Sequence, residues 1–69
     1  ILLTGSSRGI GAAAKAALAA RGHRVIGQAR RAAESDTLAA ELGEPGAAET
    51  LWHAALGEAG GTIDVLVNN

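Results

Sequence analysis

The 69-residue sequence has no cysteine, methionine, phenylalanine or tyrosine, and a single tryptophan. Without cysteine there is no disulfide framework and no thiolate metal site. The two histidines, His23 and His53, stand apart, which leaves zinc without a ligand set. An excess of positive charge is missing too: six bases against seven acids give a net charge of −1. That argues against nucleic acid as a partner, because its recognition calls for a basic patch. No apolar run approaches the roughly 20 residues of a membrane span, so no membrane partner is expected. No secretory leader pattern is visible. These absences fit a soluble, cytoplasmic protein. With one aromatic side chain the core is thin, and a chain this short buries only about 60% of its unfolded surface, so it is expected to be marginal alone.

What is present alternates in character along the chain. Ile1-Leu2-Leu3-Thr4 is a short apolar run that reads as a buried strand. A glycine-rich turn follows from Gly5 to Gly11. From Gly9 to Arg21 strong helix formers dominate, with Ile10, Ala14, Ala17 and Leu18 on one face. Gly22 is placed to stop that helix. Arg24 to Ala29 is β-branched at its centre and reads as a second strand. Arg30 to Asp36 is polar and reads as a loop. Thr37 to Leu42 is ambiguous: propensity favours helix, position favours a third strand. Gly43-Glu44-Pro45 is a break with proline near a helix start. Ala48, Leu51, Trp52, Ala55 and Leu56 recur at helical spacing within Ala47 to Glu58. Gly60-Gly61 ends that helix, and Ile63 to Val67 is the last strand. Strands alternating with helices mean βαβ units and a parallel sheet. The chain starts within one apolar run and stops just after another. Termini usually lie at surfaces, so residues 1–69 are expected to be a truncated part of a larger domain.

The stretch that carries chemistry is Thr4-Gly5-Ser6-Ser7-Arg8-Gly9-Ile10-Gly11, with G-x-x-x-G-x-G spacing. Glycines between a strand and a helix permit a tight turn and a close backbone approach to a ligand. The helix start behind them offers unpaired N–H groups and the positive end of the helix dipole. Together these can hold a pyrophosphate, in a nest of amide hydrogens between Thr4 and Ala12. The Gly-Lys-Ser/Thr of a nucleoside-triphosphate loop is absent. Glycine spacing alone also fits a connection in an unrelated α/β protein; the strand before it and the second strand after it narrow that choice.

With these residues in view, the chain resembles the N-terminal part of a short-chain dehydrogenase/reductase. That family carries T-G-x-x-x-G-[IL]-G after its first strand, matched by Thr4 to Gly11 without exception. It ends its fourth strand in N-N-A-G, and Ile63 to Asn69 looks like that strand with the first two motif residues. The nearest flavour is the 3-oxoacyl-carrier-protein reductase kind. The resemblance implies a Rossmann-type parallel sheet with flanking helices, a partial doubly wound domain of strand order 3-2-1-4. It implies a dinucleotide whose pyrophosphate lies over Gly5, Ser6, Ser7, Arg8, Gly9, Ile10 and Gly11. It implies adenine contacts at Glu41 and Leu42, where relatives commonly have Asp-Leu or Asp-Val. It puts Asn69, with Asn68 beside it, near the adenosine ribose. The family's proton transfer uses a Ser and a Tyr-x-x-x-Lys, and no tyrosine exists here. No catalytic residue is therefore assigned. The whole protein is expected to be a homo-oligomeric oxidoreductase that transfers hydride to or from a small carbonyl or alcohol substrate.

The end of the second strand selects the cofactor. An acid there bonds the ribose 2′-hydroxyl of NAD; a nearby arginine accommodates the 2′-phosphate of NADP. Here Ala29 stands at that place, followed by Arg30 and Arg31. Arginine makes strong charge-assisted bonds to phosphate. NADP(H) is thus favoured over NAD(H), with Arg30 the principal contact and Arg8 a second base. A non-catalytic nucleotide sensor on the same fold stays open. An extended epimerase is disfavoured, since G-x-x-G-x-x-G spacing is absent. Trp52 is expected in the core; His53 and Lys15 are expected to face water.

Overall fold

Leu2 and Leu3 are 2% and 0% exposed, which is why so short a run can nucleate a sheet. In the computed structural model, which describes residues 1–31 and 34–69, they form β1 (Leu2–Leu3). There follow α1 (Gly9–Ala20), β2 (Ile26–Ala29), β3 (Thr37–Ala39), α2 (Ala47–Glu58) and β4 (Leu66–Val67). The four strands make one sheet in the order β3-β2-β1-β4, every neighbouring pair parallel. Leu2 pairs with both Ile26 and Leu66, which sets the register across the centre. Parallel neighbours require crossovers: α1 lies on the one from β1 to β2, and α2 on the return from β3 to β4.

The ambiguous segment after Asp36 is a strand. β2 presents backbone groups that a helix there would leave unpaired. They are taken instead by Gly27 N–H donating to Asp36 O at 2.8 Å and Ala40 N–H donating to Ala29 O at 2.9 Å. Position therefore overrides propensity, although the strand ends at Ala39 and Leu42 lies beyond it. The strands are shorter than the apolar runs that announced them: β4 keeps only Leu66–Val67 of Ile63–Val67. Of the polar loop from Arg30 to Asp36, Ala32 and Ala33 lie outside the described residues.

One face of the sheet is packed by α2. Leu2, Ile26 and Ala55 form the buried cluster, flanked by Leu38, Ala59 and Ile63. Leu51 and Ala55, one turn apart, are the buried positions of α2. Trp52 does not join them: it is 37% exposed, because inward-facing Leu51 turns the next position to the rim. His53 is exposed, as expected. The apolar face read on α1 is also corrected. Ile10 is 82% exposed and Ala17 is exposed, while Ala14 and Leu18 are half-buried. The buried residue of α1 is Gly11, which sits against Gly5 and Asn69.

Both helices stop where expected. Past Ala20, Gly22 N–H donates to Ala19 O at 3.0 Å and His23 N–H to Leu18 O at 3.2 Å, the paired bonds of a Schellman ending. At the end of α2, Gly61 N–H donates to Leu56 O at 2.7 Å. β4 lies at the edge of the sheet, with Val65 46% and Leu66 54% exposed.

Candidate nucleotide-binding site

The turn between β1 and α1 is shaped by its glycines. Gly5 and Gly9 both have φ of 63°, a left-handed conformation that costs other residues roughly 1–2 kcal/mol. Gly11 answers a different need. A Cβ there would collide with the Gly5 carbonyl oxygen and lie 2.6 Å from Asn69 Nδ2. The helix thus starts in direct contact with the turn that precedes it, and no side chain fits between.

Hydrogen bonds fix the turn from three sides. From β2, Gln28 Oε1 accepts the Gly5 N–H at 2.9 Å, and Gln28 O accepts the Ser6 N–H at 2.9 Å and the Ser6 hydroxyl at 3.3 Å. From the end of the chain, Asn69 Nδ2 donates to Gly5 O at 3.1 Å. From β1, Thr4 Oγ1 accepts the Asn69 N–H at 2.9 Å, and Thr4 N–H donates to Val67 O at 3.1 Å. Asn68 Oδ1 lies 3.4 Å from the Thr4 hydroxyl.

These bonds narrow the expected nest of amide hydrogens. The N–H groups of Gly5 and Ser6 are spent on Gln28, and that of Ala12 donates to Arg8 O at 3.4 Å. Among the described residues, the N–H groups of Ser7, Arg8, Gly9, Ile10 and Gly11 have no hydrogen-bond acceptor. Arg8 caps α1 in extended conformation without a side-chain bond, and the first turn of the helix contains no acid. The positive end of the helix dipole is therefore uncancelled, which suits an anion.

Beside this turn lies a cavity of about 910 Å³. Of the residues singled out from sequence, it brings together Gly5, Ser7, Arg8, Arg30, Glu41 and Leu42, with Arg31 beside Arg30. The remainder are outside its lining. Ser6 and Gly11 are buried behind the turn, Gly9 and Ile10 are exposed at the helix start, and Asn68 and Asn69 brace the turn from β4. Arg8, Arg30 and Arg31 are exposed and make no salt bridge among the described residues.

Lys15 does not face water. Its side chain is 11% exposed and donates to Asp36 at 2.7 Å, Thr37 Oγ1 at 3.3 Å and Glu34 at 3.4 Å. The Asp36 hydrogen bond raises the Lys15 pKa, against a smaller opposing effect of burial. The same bond holds the Asp36 carboxyl below the usual carboxylate range. Lys15 thus engages both acids that follow the arginine pair.

Two residues of this site were not picked out as contacts by sequence reasoning. Thr4 was read only as the end of a strand and the start of a motif. Gln28 was passed over, yet it is 4% exposed within an otherwise apolar strand, and a buried amide is normally there to satisfy specific partners. That polar position in a buried run was the available signal.

A four-stranded parallel sheet with helices at its crossovers and an anion-receptive turn at the carboxyl end of β1 defines a Rossmann-type nucleotide-binding unit. Over 99% of its length the chain is similar to the crystal structure of a 3-alpha-hydroxysteroid dehydrogenase from Pseudomonas sp. B-0831 complexed with NADH. The identity is 46% and the TM-score 0.85, and the chain spans 29% of that protein's length. No protein-family model and no curated protein matches it. The likeness supports the short-chain dehydrogenase/reductase resemblance. It lends nothing to the 3-oxoacyl-carrier-protein reductase subtype.

Proposed function

We propose that residues 1–69 are the nucleotide-binding portion of an NADP(H)-dependent short-chain dehydrogenase/reductase. The whole protein then transfers hydride to or from a carbonyl or alcohol substrate, and we read it as a cytoplasmic homo-oligomer. The observation that carries the reading is the run of unpaired N–H groups from Ser7 to Gly11, set at the rim of a cavity that reaches Arg30 and Leu42. The solved neighbour was crystallised with NADH, which supports the same class of ligand here.

The division of labour follows from position. The pyrophosphate lies over the turn, held by backbone N–H groups that need no reorganisation. The adenosine lies against Ala40, Glu41 and Leu42. Ala29 places no carboxylate at the end of β2, and Arg30 and Arg31 line the cavity there, so the ribose 2′-phosphate of NADP meets positive charge. Glu41 is one methylene longer than the aspartate common among relatives, and it receives the adenine edge. Asn68 and Asn69 support the ribose side through their bonds to Thr4 and Gly5. When bound, the nicotinamide supplies the hydride chemistry, and these residues hold and orient it. The tyrosine-free sequence supplies no proton donor of the family's kind.

Arg30→Asp in the full-length protein tests the cofactor assignment. Removing a guanidinium–phosphate contact is worth about 2 kcal/mol, so NADP+ affinity should fall at least tenfold while NAD+ affinity holds or rises. An unchanged ratio of the two dissociation constants refutes the preference. A wild-type protein that binds neither dinucleotide in a calorimetric titration refutes the function.

A further inference from the structure

Gln28 is the residue the proposed function leaves without a task. Its side chain is buried, and both ends of its amide are committed. Oε1 accepts the N–H of Gly5 at 2.9 Å, and Nε2 donates to the carbonyl of Ala40 at 2.7 Å. Gly5 belongs to the phosphate turn. Ala40 is the first residue past β3 and directly precedes Glu41 and Leu42. Gly5, Gln28 and Ala40 all line the same cavity. One planar amide therefore spans the floor of the cavity and joins its two walls. The main chain of the same residue bonds Ser6 through both its N–H and its hydroxyl, so the turn cannot slide along β2 while those bonds stand.

We propose that Gln28 is a positioning residue for the dinucleotide, fixing the distance between the pyrophosphate turn and the adenosine wall. The inference rests on the nucleotide-binding reading above. It follows from geometry that a rigid ligand with two anchor points rewards fixed spacing, whereas each half bound alone does not sense it. A glutamine suits the task because it alone among side chains of this length offers one acceptor and one donor at a fixed separation. Leucine or methionine fills the volume and joins nothing. Glutamate retains the acceptor for Gly5 and loses the donor for Ala40.

The test compares one dinucleotide with its halves. Full-length wild-type protein and Gln28→Met are titrated with NADP+, with adenosine 2′-monophosphate and with inorganic pyrophosphate. Loss of two buried hydrogen bonds from the spacer should weaken NADP+ binding about tenfold, while each half binds within about twofold of wild type. NADP+ binding that is unchanged, or all three ligands weakened alike, overturns the proposal. If Gln28→Met gives no cooperative melt, the same titrations on Gln28→Asn, neutral but too short to join both walls, decide by the same criteria. Failure of the function is distinct: there the wild-type protein itself ignores NADP+ and NAD+.

Discussion

Two helices begin at the same edge of this sheet, each directly after a parallel strand or its following loop, and they begin differently. α1 follows β1 through a five-residue connection, Thr4 to Arg8, has no acid in its first turn, and leaves its leading N–H groups unpaired among the described residues. α2 follows Gly43 to Gly46 and carries Glu49 in its first turn. Its lead-in closes on itself, Ala47 N–H donating to Glu44 O at 3.2 Å and Thr50 N–H to Gly46 O at 3.1 Å. An acid near a helix start offsets the dipole and a closed turn uses up donors. The α2 end is therefore partly offset from within, by one extra bonded N–H and by Glu49, whereas the α1 end has neither. Helix starts on one parallel sheet thus differ in how much of their positive end is offset, and the intervening turn sets the difference.

Exchanging features between the two helices tests this contrast. The largest effect is expected from Gly11→Ala, where the new methyl group meets the Gly5 carbonyl backbone. It should cost about 3 kcal/mol of stability and abolish dinucleotide binding, by denaturant titration and calorimetry. The matching change in α2, Gly57→Ala, enters open space and should instead stabilise by about 0.5–1 kcal/mol. Equal effects of the two substitutions would erase the distinction.

A smaller effect is expected from Ile10→Glu, which gives α1 the first-turn acid that α2 already has. Ile10 is 82% exposed, so folding should be unharmed or improved by a few tenths of a kcal/mol. Dinucleotide affinity should fall several-fold, and less so in high salt. Unaltered affinity at low salt would show that the helix end takes no part in holding the anion.

The smallest effect concerns the bond that ties α1 to the loop before β3. The Lys15 hydrogen bond lowers the Asp36 pKa, so the pair's stabilisation is complete above the ordinary carboxylate value of about 4 and is lost as pH falls through the depressed folded value. Lys15 is raised, so the same pair persists below the ordinary lysine value and fades only as pH climbs through the higher folded one. Asp36 is half exposed, which limits the contribution to under about 1 kcal/mol. Asp36→Asn should therefore be slightly less stable than wild type at neutral pH and equal to it near pH 2, in parallel denaturation curves. A difference that persists in acid would assign the loss to packing instead.

The sequence made the element order and the place of the glycine turn legible because both are local: apolar runs, glycine spacing and helix stops act within a few residues. The third strand was settled by β2, whose unpaired edge outweighed the helix propensity of Leu38, Ala39 and Ala40. What stayed hidden depends on distant partners. Helical spacing marked Ile10 and Ala17 on the apolar face of α1 and Trp52 on that of α2, but periodicity does not say which part of a face another element covers. Lys15 looked like a solvated charge because Asp36 lies 21 positions away. Gln28 reaches Gly5 across 23 positions and Ala40 across 12, and only the folded sheet brings them together.

The brace from Asn69 to Gly5 spans 64 positions, and its companion to Thr4 spans 65. Contacts so remote along a polypeptide form late, after the cost of closing the intervening loop has been met. Within this stretch the glycine turn is thus synthesised well before the residues that brace it. Until β4 has docked, the turn lacks its Asn69 brace, so a growing chain holds it incompletely.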